Sequence, residues 1–249
     1  MTAGHSAADG HPPLAAETEP LLAGVSTATV ASQLLKRGLR DQFITGVAPL
    51  EPGCRLVGAA WTMRCIPSRE DRDGLWPGSQ VVPGLSLFDV VESTPAGAVL
   101  VIDARGQSRT ATGGDILVER LKARGVKGLV TDGGLRDVAA IGATGLPCYA
   151  AGRTANVSRA YLRVADQGVP VGCGDVAVYP GDVLVGDGDG VIVVPRHMAD
   201  GVAVASAEQE DLEAFLGDKV RAGAPLEGVY PASAETLAEY RRSREGGVR

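Results

Sequence analysis

Aromatic residues make up only 4% of the 249 positions, so any core must be assembled from Val, Leu, Ala and Ile. Cysteine is scarce. Cys54, Cys65, Cys148 and Cys173 have neither paired metal-ligand spacing nor a secretory context, and they read as isolated thiols in a reducing cytoplasm. His5 and His11 belong to the loose beginning of the chain, and no Ser or Cys nucleophile pattern accompanies His197, which reads as surface or capping material and not as a catalytic base. No apolar run reaches membrane-spanning length, and the first 20 residues lack a basic segment followed by an apolar signal core. A cytoplasmic protein without membrane contact is expected. Positive charge is also in deficit: 24 Lys and Arg against 30 Asp and Glu leave a net −6, which provides no general field for nucleic acid.

What is present is glycine and proline, 34 and 15 residues, placed between apolar runs without a fixed period. They read as tight turns in a folded α/β protein. Residues 1–19 are small, polar and proline-containing and read as a loose arm, with folded structure starting near Leu21. Helices are expected at 26–38, 113–125, 137–145, 199–215 and 234–243, and strands at 56–63, 99–106, 126–132 and 146–150. Short strands joined by tight turns are expected over 176–195, and 65–83 reads as a long polar connection. The alternation of strand and helix favours α/β packing with a mixed sheet or two stacked sheets over a complete dinucleotide-binding fold. GDGDG at 186–190 lacks both a calcium-loop spacing and a Rossmann fingerprint, so its aspartates read as turn supports and no organic cofactor is implied.

The chemistry is concentrated in GGDIL at 113–117 and GLVTDGGLRD at 128–137, the latter read as an apolar run ending in a glycine turn beside Arg136 and Asp137. A carboxylate such as Asp137 can bind a hard cation like Mg²⁺ directly or through water. Arg136 offers a planar donor fork suited to the carboxylate of an oxoacid. Backbone N–H groups from Gly114 through Ile116 and Leu117 can hold the other side of that anion at a helix start, and Asp115 can position water or move a proton. Asp115 as a helix cap, with Arg136 and Asp137 as a turn-stabilising ion pair, is the structural alternative. Arg64, Arg69 and Arg72, interleaved with Glu70, Asp71 and Asp73, read as a charged loop or a substrate-facing edge.

Together with RDQFITGVAPL at 40–50 and YPGDVLVGDGDGVIVVP at 179–195, these segments resemble the RraA-like aldolase family, which includes the class II 4-hydroxy-4-methyl-2-oxoglutarate/4-carboxy-4-hydroxy-2-oxoadipate aldolases. The resemblance implies an α/β/β swivelling fold, with a catalytic domain over 20–230 and a C-terminal helical extension over 231–249. It implies a pyruvate-releasing lyase acting on a 4-hydroxy-2-oxoacid, with oxaloacetate decarboxylation as a side reaction. Asp137 then matches the metal-binding aspartate, for Mg²⁺ or Mn²⁺, and Arg136 the substrate-binding arginine. Asp115 matches the acid that orders water and assists proton transfer, and Ile116 and Leu117 match backbone positions holding the pyruvyl carboxylate. The family assembles as homotrimers or homohexamers with shared active sites, and Glu208 or Glu210 is a candidate for an acid contributed by the neighbouring subunit. The same family includes regulators that bind ribonuclease E without aldolase chemistry. Segments 66–82 and 225–240 are candidates for shaping the pocket or for oligomer contacts.

Overall fold

The computed structural model describes residues 13–74 and 83–246; His5, His11 and the start of the arm lie outside them, as do positions 75–82 of the polar connection. The first helix, α1 (Thr18–Gly24), begins inside the stretch read as an arm: buried Thr18 donates its hydroxyl to Asp200, and Glu19 pairs with Lys127. Leu22, fully buried, anchors it. Helix α2 (Thr27–Lys36) is capped by Ser26, whose hydroxyl accepts from the Thr29 N–H. Asp187, from the GDGDG turn, accepts the Thr27 N–H at 2.8 Å and its own turn's Asp189 N–H at 3.0 Å, so this aspartate supports both the turn and the helix start.

The remaining elements in chain order are β1 (Ala48–Pro49), β2 (Leu56–Pro67), α3 (Leu87–Ser93), β3 (Ala98–Asp103), α4 (Asp115–Ala123), β4 (Gly128–Leu135), α5 (Val138–Thr144) and β5 (Cys148–Arg153). They continue as β6 (Leu162–Gln167), β7 (Val171–Cys173), β8 (Val176–Val178), β9 (Val183–Gly186), β10 (Val191–Val194), α6 (Ala199–Arg221) and α7 (Ala234–Gly246). Strands β2, β3, β4 and β5 are mutually parallel, β9 pairs antiparallel with β2, β10 with β9 and β1 with β5, and the order is β1-β5-β4-β3-β2-β9-β10. β6 pairs with the second half of β2, and β7 with β8 forms a separate hairpin.

The segment around residues 42–50 nearly closes this sheet. Phe43 bridges Ile192 on the β10 edge, while Ala48 and Pro49 pair with β5 on the opposite edge. The fold is thus a mixed α/β domain whose sheet has an inside and an outside. Val99 and Val101 of β3 point inward with Val130, Tyr149, Leu184 and Val193. Leu100 and Ile102, one residue out of phase, point outward to α3, α4 and α5 through Val90, Val118, Leu121 and Ile141. Strands β9 and β10 turn their outer residues, including Val183 and Ile192, to α1, α2 and α6. Burial on both faces is why these strands read as continuous apolar runs.

Candidate functional site

Because β3 and β4 are parallel neighbours, the chain leaves both at the same edge of the sheet, where α/β proteins place their ligand sites. After β3 it doubles back so that Thr110–Thr112 runs beside the end of β4: the Thr112 N–H donates to the Gly134 carbonyl at 2.8 Å, and the Gly134 N–H to the Thr110 carbonyl at 2.9 Å. This approach needs bare backbone. A Cβ at Gly134 would sit 2.5 Å from the Ser108 carbonyl oxygen, and one at Gly133 would sit 2.7 Å from Thr112 Cγ2. Gly133 and Gly134 therefore lie within a strand that continues to Leu135; the expected glycine turn is replaced by a close crossing of two backbones.

Asp132 fastens the loop from beneath. Its carboxylate accepts the Ala104 N–H at 2.6 Å and the Gly106 N–H at 2.8 Å, and burial raises its pKa against the pull of those donors.

The loop delivers Gly114 as the N-cap of α4, in extended backbone with φ −144° and no side-chain cap. Asp115 is the first helical residue and not the cap. The first intrahelical bond runs from the Val118 N–H to the Gly114 carbonyl, so the N–H groups of Asp115, Ile116 and Leu117 precede it at the positive end of the helix. The Arg136 N–H donates to the Gly113 carbonyl at 3.2 Å, bringing the residues after β4 against this helix start. Asp137 follows in the left-handed region, φ 56° and ψ 37°, which aspartate tolerates better than most side chains, and its carboxylate makes no cap to α5. Arg136 Nε lies 3.1 Å from Asp137 Oδ2, with both side chains 44% exposed. The two groups meet over Gly114: a Cβ there would lie 2.9 Å from Asp137 Oδ2 and 3.0 Å from Arg136 Nε.

Beside them opens a cavity of about 420 Å³ whose walls include Gly114, Asp115, Ile116, Leu117 and Arg136. Leu87 and Phe88 from α3 and Val157, Ser158 and Arg159 near the 3₁₀ turn Ser158–Ala160 also line it. Ile116 is 77% and Phe88 69% exposed, so the rim is apolar. The lining residues from α3 and the 3₁₀ turn lie in no motif that marks a site. The Ser86 and Asp89 capping pair was the available signal for α3; Arg159 has none, since the return of the chain alone brings it here.

Other candidates are elsewhere. Glu210 accepts the Ser26 N–H at 2.9 Å within its own chain; burial raises its pKa, but bonds from Ser26 and Thr29 outweigh that and hold it low. Glu208 is exposed on α6, and His197 is exposed in the turn Arg196–Met198. Arg69 pairs with Asp71, and Arg64 lies 3.7 Å from Asp166. The four cysteines are free, and burial pushes Cys65 and Cys148 up to about 12, leaving those two as thiols near neutral pH. Among the described residues no helix is long and apolar enough to cross a membrane, and no group of three or more His, Cys, Asp or Glu could hold a metal ion.

An arginine, an aspartate and a helix start thus converge at the ends of parallel strands in a mixed α/β domain. Residues 27–193 match the RraA-like family model, described as Aldolase/RraA, and the chain belongs to that family. A protein of Halalkalibacterium halodurans named "Putative 4-hydroxy-4-methyl-2-oxoglutarate aldolase" is 34% identical over 182 residues, covering 71% of this chain and 79% of that one. Among solved structures, Streptomyces coelicolor RraAS2, titled an unusual member of the RNase ES inhibitor RraA protein family, is 32% identical with a TM-score of 0.72, covering 82% of this chain and 98% of that one. An uncharacterised Pseudomonas syringae protein matches at 25% identity and TM-score 0.75 over 88% of this chain and 100% of its own. The relative's name supports an aldolase reading of the family.

Proposed function

We propose that the chain is a divalent-metal-dependent aldolase that cleaves a 4-hydroxy-2-oxoacid and releases pyruvate. The observation that carries this reading is the meeting of Arg136 Nε and Asp137 Oδ2 over the bare backbone of Gly114, at the start of α4. A guanidinium and helix N–H groups favour an oxoacid carboxylate, and a carboxylate at the same point favours a hard cation.

The donor chemistry fits Mg²⁺, or Mn²⁺ in its place. This chain supplies oxygen from Asp137, with Asp115 across the helix start, and Mg²⁺ is commonly held by one or two carboxylates while keeping several waters. When bound, the cation supplies positive charge at the 2-oxo oxygen, where negative charge gathers as the carbon–carbon bond breaks. Arg136 clasps the C1 carboxylate through its donor fork, and the Ile116 and Leu117 N–H groups orient that carboxylate. A water at the site takes the C4-hydroxyl proton as the new carbonyl forms, the C3–C4 bond breaks, and its electron pair passes to C3 and the C2 oxygen. Asp115, through an intervening water, returns a proton to C3 and completes the methyl group of pyruvate. Loss of CO₂ from oxaloacetate leaves the same electron pair on C3, so decarboxylation is a side activity of one site.

Assembly as a homotrimer or homohexamer is carried by the family resemblance. A second reading, a regulator that binds a ribonuclease without turnover, is favoured by the likeness to RraAS2.

The test is pyruvate release across a panel of 4-hydroxy-2-oxoacids with Mg²⁺, Mn²⁺ and chelator. Asp137→Ala is expected to abolish metal-dependent turnover while the circular dichroism spectrum stays native. Unchanged activity in that variant rules out the assignment, and ribonuclease binding with no turnover across the panel selects the regulatory reading.

A further inference from the structure

A second cavity of about 410 Å³ adjoins the first and shares Leu87, Phe88, Ser158 and Arg159 with it. Two of the shared residues are apolar and one is a cation. The other charges on the second cavity cancel: Arg163 Nη1 lies 2.9 Å from Asp73 Oδ1. In the first, Arg136 is already paired with Asp137. Arg159 is different. Among the described residues its guanidinium enters no ion pair, and it lines both cavities, whereas Arg136 lines only the first.

From this arrangement we propose that Arg159 is a specificity-determining residue, receiving an acidic group on the half of the substrate that leaves as the carbonyl product, with Leu87 and Phe88 flanking the chain between the two ends. The proposal rests on the aldolase reading and adds the far end of the substrate to it. Arg136 fixes the pyruvyl end whatever the substrate; Arg159 selects among substrates by what lies beyond C4. Its donor fork suits a carboxylate, whereas a neutral amide of the same shape leaves the guanidinium without an anion. The shared cavities also leave room beyond C4 for a substituent that the Arg136 corner alone does not need.

The experiment uses two 4-hydroxy-2-oxoacids of one carbon skeleton, one ending in a carboxylate and one in the corresponding primary amide. Both are assayed with wild type, Arg159→Gln and Arg159→Lys in the presence of Mg²⁺. Proton exchange at the methyl group of pyruvate in D₂O, which engages only the Arg136 end, is followed in parallel. Arg159→Gln is expected to raise KM for the carboxylate substrate about 10- to 100-fold with kcat little changed, to leave the amide substrate unaffected, and to exchange pyruvate at the wild-type rate. Arg159→Lys is expected to recover part of the loss. Equal effects on both substrates, or none on either, overturn the role of Arg159 while leaving the aldolase reading intact. Wild-type protein that neither exchanges pyruvate nor cleaves either substrate overturns both.

Discussion

At the scale of single residues, Gly114 matters through what it lacks. Its backbone is extended, a conformation alanine adopts freely, so the restriction lies in the space above it. That space holds Asp137 Oδ2 at 2.9 Å and Arg136 Nε at 3.0 Å from the position of a Cβ. Gly114→Ala should therefore displace both functional groups and leave the fold in place, since alanine at an N-cap costs about 1 kcal/mol. A fall in kcat/KM on the order of 100-fold, with the melting temperature lowered by no more than roughly 2–4 °C, is expected. Wild-type kinetics in this variant would mean that the guanidinium and carboxylate are not held in a required geometry. Gly133 and Gly134 serve a different end, since there the obstacle to a Cβ includes the Ser108 backbone and the side chains of Ala104 and Thr112. Three neighbouring glycines thus do two jobs, one opening the site and one seating the loop that builds it.

At the scale of elements, periodicity reveals most of the strands and helices because both faces of the sheet are buried and the helices carry one apolar side. β3, β4, α4 and α5 fall close to where alternation and helical spacing put them. The exceptions have physical reasons. β6 carries Arg163, Asp166 and Gln167 and is only partly buried, so its pattern does not alternate clearly. α3, as short as α5, follows the polar connection and not a strand, so no strand and helix alternation marks it, although Ser86 and Asp89 form a reciprocal cap: the Asp89 N–H donates to Ser86 Oγ, and Asp89 accepts from the Ser86 N–H at 2.8 Å. The Arg136, Asp137 and Gly114 corner could be read because its residues sit in two short motifs. Arg159 could not, because only the return of the chain after β5 brings it to the cavity. The α3 cap orders one wall of the cavity, since Leu87 and Phe88 are the first two residues it starts. Ser86→Ala should cost about 1 kcal/mol, lowering the melting temperature by roughly 2–4 °C in a chain of this size. An unshifted melt would show that Val90 and Val91 hold the helix without its cap.

At the scale of the whole molecule, one buried carboxylate joins three parts of the fold. Asp132 belongs to β4, accepts N–H groups from the loop after β3, and lies 3.5 Å from the Gly174 nitrogen in the β7–β8 turn. Gly174 in turn accepts the Thr45 N–H through its carbonyl, within the segment that nearly closes the sheet. Burial raises the Asp132 pKa, the N–H donors oppose it without cancelling it, and Asp103 adds a smaller push upward. The folded state thus binds this proton more tightly than the unfolded chain does. The resulting stabilisation is fully present below the unfolded value and is lost as pH rises through the raised folded value. Asp132→Asn keeps the shape, removes the titration and places an amide against backbone donors, so its effect at any one pH mixes two contributions. The pH dependence separates them. Urea unfolding of both proteins from pH 3 to pH 7 is expected to show wild type losing stability relative to Asp132→Asn as pH climbs above the ordinary aspartate range, because the titrations of carboxylates not coupled to Asp132 cancel in the difference and Asp103 adds only a smaller contribution of the same sign. Parallel curves would mean that the N–H groups of Ala104, Gly106 and Gly174 fully offset the burial of the charge, and that the loop carrying Gly114 is held without a proton-linked cost.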